Sequence, residues 1–321
     1  MKKKDPQVPH SGAFFVLLIV CLFLMAAFWG CAERPKRMQL ILKDRTMSFA
    51  PGSIIATNTG RQIPFETMMA DLSTVTVIYI GESHTNAEHH EIQLKILTSL
   101  HNRFPGLAVG MEMFDRTYQP QLDVWSDGKM DENQFLKKVH WYANWRYHYA
   151  LYRPILQFVK ANHLPLIGLN LPFHIPPKIS IGGIASLSDE EKRHLPGAID
   201  FTDVEHRGYL QKIYSHHRIP GRDDFEAFYE AQCAWEDTMA ETIARHSPTG
   251  KMAVLVGNGH IFRKFGIPNR AFNRFPADYR TVYPAEAGGD IEPTAADYIW
   301  VTAPANTLRI PHQKRIEADT E

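Results

Sequence analysis

Residues 77–84, Val-Ile-Tyr-Ile-Gly-Glu-Ser-His, set the fold class of this sequence. A short apolar run rich in β-branched residues occupies residues 75–80. A glycine and three polar side chains follow it at residues 81–84. Similar apolar runs occupy residues 107–114, 164–169 and 252–256. Continuous apolar runs of this length, separated by helical patterns, are typical of strands buried on both faces of a parallel sheet. The sequence therefore predicts an α/β fold with a mainly parallel β-sheet flanked by helices.

Helices are predicted between these runs from their N-terminal capping patterns. Thr85 with Glu88 has the spacing of a capping box after the first strand, and Asp223 and Asp224 open a longer helix. The stretch from about 115 to 245 contains only one clear strand and is mostly helical. We therefore expect a domain over residues 51–321 with a helical insertion at about 115–245 that forms a smaller subdomain.

Composition excludes several classes of protein. The chain has 321 residues, of which 44% are hydrophobic and 22% are charged, values close to the globular average. Its 35 basic and 35 acidic side chains give a net charge of zero. Disorder and a fibrous fold are excluded, and a broadly basic nucleic-acid-binding protein is excluded as well.

The N-terminus has the pattern of a targeting segment. Three lysines at 2–4 precede an unbroken apolar run of 17 residues, 13–29, which ends in Gly30-Cys31. This end resembles the lipobox of bacterial lipoproteins, although Phe28 and Trp29 depart from it. An uncleaved signal anchor is the alternative, because 17 residues is near the short limit for a membrane span.

The favoured interpretation is a lipoprotein signal peptide over residues 1–30, lipidation at Cys31 and a polar stalk over residues 31–50. Both interpretations predict an extracytoplasmic, membrane-anchored protein in the periplasm. Ala32, which is not an aspartate, favours the outer membrane over the inner membrane.

Polar side chains follow the predicted strands. Glu82 and His84 follow the first strand, Glu112 lies in or after the second, Asn170 follows the third, and His260 follows the fourth. Ligands of open parallel sheets bind beyond the carboxyl ends of the strands, so we expect these groups to meet at one edge. Each residue taken singly also has a structural interpretation: a glutamate after a strand caps a helix or is solvated, and a lone histidine makes structural hydrogen bonds. The run at 88–91, Glu-His-His-Glu, is interpreted as a solvated helix face, because consecutive helix positions point in different directions.

A collinear series of segments carries a family resemblance. The segments are Val-Ile-Tyr-Ile-Gly-Glu-Ser-His (77–84), Gly-Met-Glu-Met-Phe (110–114), Tyr-Arg-Pro-Ile (152–155), Ile-Gly-Leu-Asn (167–170), Trp-Glu-Asp (235–237) and Gly-Asn-Gly-His (257–260). Over about residues 50–270 the chain resembles the ChaN-like haem-binding lipoproteins of the Tiki superfamily. The resemblance implies an α/β domain with a helical insertion, and haem binding linked to iron uptake. It further implies a tyrosinate ligand with histidine support at a homodimer interface.

The resemblance supplies no motif for the tyrosine, so the choice depends on neighbouring residues. A cation beside a phenol favours the ionised form, which binds ferric haem. Tyr209, with His206 and Arg207 close in sequence, is the predicted axial ligand, and Tyr214 is the next candidate. The aromatic stretch 140–149 has rings for sandwiching a porphyrin, but core packing is its favoured interpretation.

The alternative function is a hydrolase, an esterase or protease of the erythromycin-esterase or Tiki-like type. Glu82 and Glu112 would supply acid–base or coordinating carboxylates, with Asn170 beside them. His84 would act as a general base, or His84 and His260 would bind a divalent metal ion. A third interpretation is that the strand-end groups only stabilise loops. The sequence favours the haem-binding protein, which would not be an enzyme, and leaves the hydrolase open.

Overall fold

The computed structural model describes residues 39–43, 47–216 and 223–304, all of which belong to one compact unit that begins at Met38. The strands are β1 (Leu40–Leu42), β2 (Met47–Phe49), β3 (Ile54–Ala56), β4 (Arg61–Ile63), β5 (Val77–Ile80), β6 (Ala108–Asp115), β7 (Leu166–Asn170), β8 (Met252–Leu255), β9 (Tyr279–Glu286), β10 (Asp290–Ile291) and β11 (Tyr298–Thr302).

The helices are α1 (Phe65–Leu72), α2 (Ala87–Arg103), α3 (Gln119–Ser126), α4 (Glu132–Lys138), α5 (Trp141–Asn144), α6 (Tyr149–Ala161), α7 (Ile175–Gly182), α8 (Asp189–Lys192), α9 (Val204–His216), α10 (Phe225–His246) and α11 (Ile267–Arg274). In the described residues, no helix has the length and apolar character needed to cross a membrane. The predicted signal peptide and Cys31 lie outside the described residues.

Eight strands form the main sheet, in the order β4-β3-β11-β9-β5-β8-β6-β7. The pairs from β11 to β7 are parallel, whereas β3 pairs antiparallel with both β4 and β11. A smaller sheet has the order β10-β1-β2. The parallel arrangement brings the carboxyl ends of β5, β8, β6 and β7 side by side, which positions the site described below.

The alternation of side chains along β5 explains why its sequence is apolar throughout. Ile78 and Ile80 pack with helices on one face of the sheet, whereas Val77 and Tyr79 pack on the other face with residues of α10 and α11. Each side chain is at most 2% exposed. Burial of one such aliphatic side chain contributes about 1.5–3 kcal/mol, so strands of this kind need apolar residues at every position.

The predicted fold class is confirmed: the sheet is mainly parallel and helices flank it. Between β6 and β8 the described chain forms α3 to α10 with β7 as its strand.

Two local predictions are wrong. Asn86, not Thr85, caps α2, because its side-chain oxygen accepts a hydrogen bond from Glu88 N. Strands β1 and β2 lie within the segment predicted as a polar stalk. Their apolar residues pack with β3, β9 and β11, so this segment is part of the folded domain.

Candidate functional site

The five predicted strand-end residues come to one side of the main sheet. Glu82 and His84 follow β5, Glu112 lies within β6, Asn170 ends β7, and His260 lies in the turn after β8. Four of them are buried, and His84 is partly exposed. Because burying a charged group is costly unless it is paired, the partners of these side chains decide what the site can do.

Glu82 is surrounded by two histidines and a tyrosine. Its Oε1 lies 2.7 Å from His84 Nδ1 and accepts a hydrogen bond of 3.0 Å from the Tyr152 hydroxyl. Its Oε2 lies 2.8 Å from His90 Nδ1. Burial raises the pKa of Glu82, but the hydrogen bonds and charges of His84 and His90 outweigh it and hold the pKa at about 2. Glu82 is therefore ionised at neutral pH.

His84 is oriented by that carboxylate. Because Nδ1 faces Glu82, Nε2 is the nitrogen left to face the cavity beside Gly257, where a Cβ would lie 3.4 Å from it. The imidazole lies 5.0 Å from the Trp145 ring and 4.5 Å from the Tyr147 ring. Burial lowers the pKa of His84, but the Glu82 hydrogen bond and the nearby carboxylates outweigh it and raise the pKa. His84 thus presents an oriented Nε2 nitrogen to the cavity.

His260 lies between two buried carboxylates. Its Nε2 is 3.4 Å from Glu112 Oε1, and its Nδ1 is 3.1 Å from Glu236 Oε1. Gly257 N donates a hydrogen bond of 2.7 Å to the other oxygen of Glu112. Burial lowers the pKa of His260, but Glu112 and Glu236 outweigh it and raise the pKa to about 10. His260 is therefore an imidazolium at neutral pH and balances part of the buried negative charge.

The side chain of Asn170 forms hydrogen bonds with backbone atoms. Its Nδ2 donates to the carbonyl oxygen of Glu112 at 2.9 Å, and its Oδ1 accepts from Leu171 N. The pairing of β6 with β7 is irregular between Met111 and Asp115, the segment that contains Glu112. Such irregularities re-aim side chains, so Asn170 helps to fix the direction in which Glu112 points.

His206 does not support Tyr209, contrary to the prediction. It is 1% exposed and belongs to a buried network in which its Nε2 lies 3.1 Å from Glu236 Oε2. Its Nδ1 lies 3.2 Å from an Arg270 nitrogen, and Arg270 also pairs with Asp237. The sequence places His206 three residues before Tyr209, but burial on α9 directs it toward α10 and α11.

Tyr209 lies on α9 with its ring stacked on Phe262 at 4.8 Å. Burial, Tyr283 and Glu236 raise its pKa above the usual value for a phenol. No cation is among these influences, so the phenolate is not favoured by the neighbours that the sequence suggested. Tyr209 nevertheless lines the same cavity as His84 and His260.

Arg207 and Tyr214, both on α9, contact side chains of α10. The Arg207 guanidinium pairs with Glu226, which explains why it is not directed at Tyr209. The Tyr214 ring contacts Phe225 at 5.5 Å and Phe228 at 5.4 Å. The prediction that Arg207 assists the ligand is therefore wrong in this geometry.

Two adjoining cavities open at this edge of the sheet and share Phe228, Gln232 and Trp235. The smaller cavity, here called the histidine pocket, has a volume of about 320 Å³ and contains Glu82, His84, Tyr209 and His260 in its lining. The larger cavity, here called the aromatic cleft, has a volume of about 940 Å³. Its lining includes Tyr118, Trp145, Arg146, Tyr147, Phe173, His174, His194, Phe228 and Trp235.

Within residues 39–43, 47–216 and 223–304, no group of three or more His, Cys, Asp or Glu side chains has the arrangement of a metal site. His84 and His260, predicted together as metal ligands in the hydrolase alternative, both line the histidine pocket. Each directs Nδ1 at a carboxylate, and the second nitrogen of His260 also faces one.

His89 and His90 are predicted to lie on a solvated helix face, and this prediction is wrong. Both are buried, and His90 contacts Glu82 as described. His89 Nδ1 accepts a hydrogen bond from Ser83 N, and burial lowers its pKa to about 4. The signal was available: His89 lies three residues before Ile92, and His90 lies three before Gln93, on the side of α2 that is buried.

Tyr152 and Glu236 were also missed as site residues, although both stand in segments that carried the resemblance. Tyr152 lies in the first half of α6 and reaches Glu82 over a separation of 70 residues. Glu236 is fully buried in α10, a helix with apolar residues around much of its surface. A buried carboxylate inside such a helix indicates partners that compensate its charge, here the imidazoles of His206 and His260.

The chain matches the model of the family described as haem-binding uptake, Tiki superfamily, ChaN, over residues 68–271. It belongs to this family. The matched range contains every residue of the histidine pocket and of the aromatic cleft. The predicted resemblance is thereby confirmed.

Among solved structures, ChaN of Campylobacter jejuni, described as showing cofacial haem binding, is similar with a TM-score of 0.64 and 23% identity. The similarity covers 77% of this chain and 95% of that chain, and concerns the fold. An erythromycin esterase mutant in its open conformation is 14% identical, with a TM-score of 0.45 and coverage of 74% and 76%. At that score the likeness does not bear on function.

A curated relative, the chloroplastic protein RETICULATA-RELATED 5 of Arabidopsis thaliana, is 23% identical over 257 residues. The match covers 72% of this chain and 35% of the relative. The chain thus spans about a third of the length of that relative.

Proposed function

We propose that this protein is a membrane-anchored, extracytoplasmic haem-binding lipoprotein that serves haem and iron acquisition. The observation that carries the proposal is the aromatic cleft, which adjoins a pocket containing a phenol and two histidines in a chain of the ChaN family. Its volume of about 940 Å³ lies at the upper end of the range usual for small-molecule and cofactor sites.

The residues present fit a porphyrin. Trp145, Tyr147 and Phe173 supply rings on the cleft wall, with Trp145 centred 5.3 Å from Tyr147 and 6.0 Å from Phe173. Flat apolar ligands pack favourably against aromatic rings. Arg146 is exposed at the same cleft and supplies a positive charge for an anionic ligand. Haem combines a flat apolar ring with two carboxylates, so this lining matches its chemistry.

Tyr209 is the axial ligand in this proposal, with Tyr214 and then Tyr147 as the next candidates. Tyrosinate is a recognised ligand of ferric haem. Histidine support would come from His84, whose Nε2 faces the histidine pocket, rather than from His206. Because the surroundings raise the pKa of Tyr209, the proton of its phenol has to be released when the ligand binds.

The membrane anchor is proposed from the sequence. The lysines at 2–4, the apolar run at 13–29 and Cys31 together have the organisation of a lipoprotein signal. Lipidation at Cys31 would hold the domain at a membrane surface, with the outer membrane favoured by Ala32. A homodimer that binds haem between its subunits is part of the same proposal.

A haem titration of the purified full chain tests the proposal, with visible absorbance as the readout and elemental analysis of the protein as purified. Stoichiometric haem binding with a tyrosinate-type spectrum supports it. Size-exclusion chromatography of the apo and loaded protein tests the homodimer. A protein that binds no haem, or that binds it without a defined spectrum or stoichiometry, contradicts the proposal.

A hydrolase is the second candidate, and the Glu82–His84 pair favours it. Glu82 fixes the imidazole so that Nε2 faces the pocket, the arrangement by which a carboxylate orients a histidine base. His84 would take a proton from water attacking an ester or amide, while the His260 imidazolium would stabilise negative charge nearby. Ester turnover that is lost in His84→Ala, in protein free of haem, would establish this function.

A further inference from the structure

Helix α9 forms one wall of the histidine pocket. Three side chains of this helix line the pocket: Tyr209, Leu210 and Ile213. A second wall comes from α10, and the rest of the lining follows β5 and β8. The segments after these two strands are joined to each other by a hydrogen bond of 2.8 Å from Asn258 N to the carbonyl oxygen of Glu82. The pocket is thus bounded by two helices and by the edge of the sheet.

The histidine pocket is small for a ligand site. Its volume of about 320 Å³ lies near the lower limit of the range of about 300–1,000 Å³ that is usual for small-molecule sites. A ligand larger than this volume reaches His84 and His260 only if one of the walls moves. The wall that moves is expected to be the one with the least buried contact, since such segments open locally while the rest of the protein stays folded.

Helix α9 is packed less firmly than α10. Both helices lie in the described part of the chain, and two of the 13 residues of α9 are buried, against 12 of the 22 residues of α10. The two buried residues of α9 are His206 and Leu210. From residue 211 to residue 216 every side chain is exposed or half-buried. Helix α9 is therefore the wall of the pocket that moves at the lowest cost.

The first turn of α9 is nevertheless held at three points. Asp203 accepts hydrogen bonds of 3.0 and 2.9 Å from two backbone nitrogens of this turn. His206 Nε2 lies 3.1 Å from Glu236 of α10, and the Arg207 guanidinium pairs with Glu226 of the same helix. The beginning of α9 is thus fixed to α10, whereas the residues that line the pocket come later in the helix.

Gly208 lies between the fixed turn and the pocket-lining residues. It is an interior residue of α9 without a positive φ, and in the described residues a Cβ there would meet no atom outside the backbone of α9 within 4 Å. Neither a turn nor a close approach therefore requires a glycine. A glycine inside a helix weakens it roughly fivefold relative to alanine, because the glycine backbone loses more freedom. Helix α9 is thus easiest to bend at Gly208.

A buried thiol lies beneath the part of α9 that follows Gly208. Cys233 of α10 is 0% exposed and belongs to one buried cluster with Leu210 and Tyr229. If α9 bends at Gly208, Leu210 leaves this cluster and the thiol becomes accessible to solvent. Because a buried thiol is inert and an accessible one reacts, the reactivity of Cys233 reports on the position of α9.

We propose that α9 is a lid over the histidine pocket, that it bends at Gly208 while its first turn stays fixed, and that a ligand reaches His84 and His260 when the lid is open. Tyr209 lies on the moving part, so opening also separates its ring from that of Phe262, which it contacts at 4.8 Å. The inference goes beyond the proposed function, because it concerns entry into the pocket and applies to any ligand of this site.

The test measures alkylation of Cys233 by N-ethylmaleimide in the full chain, with peptide mass spectrometry to separate this thiol from Cys21 and Cys31. Gly208→Ala should slow the alkylation roughly fivefold, because it strengthens the helix at the bend. Gln211→Gly weakens the helix at an exposed position of the moving part and should accelerate the alkylation by a similar factor.

Two further measurements accompany the alkylation. Gly106→Ala is the control, because it lies outside α9 and its Cβ would likewise meet nothing within 4 Å in the described residues; it should leave the rate unchanged. The association rate of haem, followed by stopped-flow absorbance, should decrease in Gly208→Ala and increase in Gln211→Gly. In the wild type, alkylation should depend on urea less steeply than global unfolding does, as expected for a local opening.

The lid is overturned if Gly208→Ala and Gln211→Gly alkylate at the wild-type rate, or if alkylation of the wild type has the urea dependence of global unfolding. Equal association rates of haem in the three proteins, despite different alkylation rates, overturn it too, because α9 would then move without controlling entry. A wild-type protein that binds no haem contradicts the proposed function, and the alkylation rates then decide on the lid alone.

Discussion

His90 Nδ1 lies 2.8 Å from Glu82 Oε2, on the oxygen that His84 does not use. The two histidines therefore divide one buried carboxylate between them, one from α2 and one from the loop after β5. His90 is 3% exposed and faces the interior, whereas His84 faces the pocket. This division lets Glu82 stay ionised in the interior and orient His84 at the same time.

Glu82→Gln should destabilise the protein by roughly 3 kcal/mol at neutral pH, because it leaves two histidines without their carboxylate. The folded pKa of Glu82, about 2, lies below its ordinary value of 4.5. Its stabilisation is therefore complete above about pH 4.5 and is lost as the pH falls toward 2. Urea unfolding of both proteins between pH 7 and pH 3 measures this. Glu66→Gln, at an exposed carboxylate, should have little effect, and a pH-independent difference for Glu82→Gln would contradict the assignment.

Glu236→Gln should lower the pKa of His260, since Glu236 is one of the two carboxylates that raise it to about 10. In the wild type, stability from His260 is present below its ordinary pKa of 6.5 and is lost as the pH rises through 10. Titration of the imidazole resonances by NMR should show a decrease of one unit or more in the variant. Glu191→Gln, beside the exposed His174, is the matched control and should leave His260 unchanged. Equal pKa values for His260 in wild type and Glu236→Gln would refute the charge pairing.

The central sheet is readable from sequence because its strands are buried on both faces and are apolar throughout. The predicted runs fall within two residues of β5, β6, β7 and β8 at each end. Strands β1 to β4 have three residues each, so they leave no comparable run. Strands β1 and β2 belong to the small sheet, and β4 and β3 are the last two strands at one end of the main sheet. The stalk predicted over residues 31–50 therefore covers β1 and β2, because neither strand stands out as an apolar run.

Site residues could be predicted from the sequence only where they directly follow, or lie at the end of, a predicted parallel strand. Glu82, His84, Glu112 and His260 were predictable because parallel strands gather their carboxyl ends at one edge. Partners supplied by helices were not, since their orientation depends on packing between helices. His206 shows the difference: its place in sequence suggested Tyr209 as its partner, but the rotation of α9 directs it to Glu236.

Gly257→Ala should weaken ligand binding several-fold with little loss of fold. The backbone angles of Gly257, φ −61° and ψ 143°, suit alanine, but its Cβ would lie 3.0 Å from His84 Cε1 and 3.5 Å from Glu112 Oε2. His84 would have to shift by a few tenths of an ångström, at a cost of roughly 1 kcal/mol. Gly259→Ala is the matched control, because its Cβ would meet nothing within 4 Å. Haem titration and thermal unfolding measure both; identical haem binding by the two variants would place the ligand away from His84.

Cys31→Ser should abolish lipid labelling of the protein in a host that processes lipoproteins, because the thiol of Cys31 is the acceptor in the proposed anchor. Cys21→Ser, inside the apolar run, should leave labelling intact. Metabolic labelling with an alkyne fatty acid, together with intact-mass analysis, reads out both. An unmodified N-terminus at Met1 in the native protein would show that the segment is an uncleaved anchor.

Tyr209→Phe should erase the tyrosinate-to-iron charge-transfer band, since it removes only the oxygen that would bind iron. Because burial raises the pKa of the phenol, haem binding to the wild type should release a proton, and its affinity should increase with pH. The variant should lose this pH dependence. Tyr147→Phe is the matched control, since that phenol contacts His84 at the aromatic cleft and its pKa is also raised by burial. Absorbance titrations at pH 6, 7 and 8 separate the two tyrosines: loss of the band in Tyr147→Phe and not in Tyr209→Phe would transfer the ligand to Tyr147.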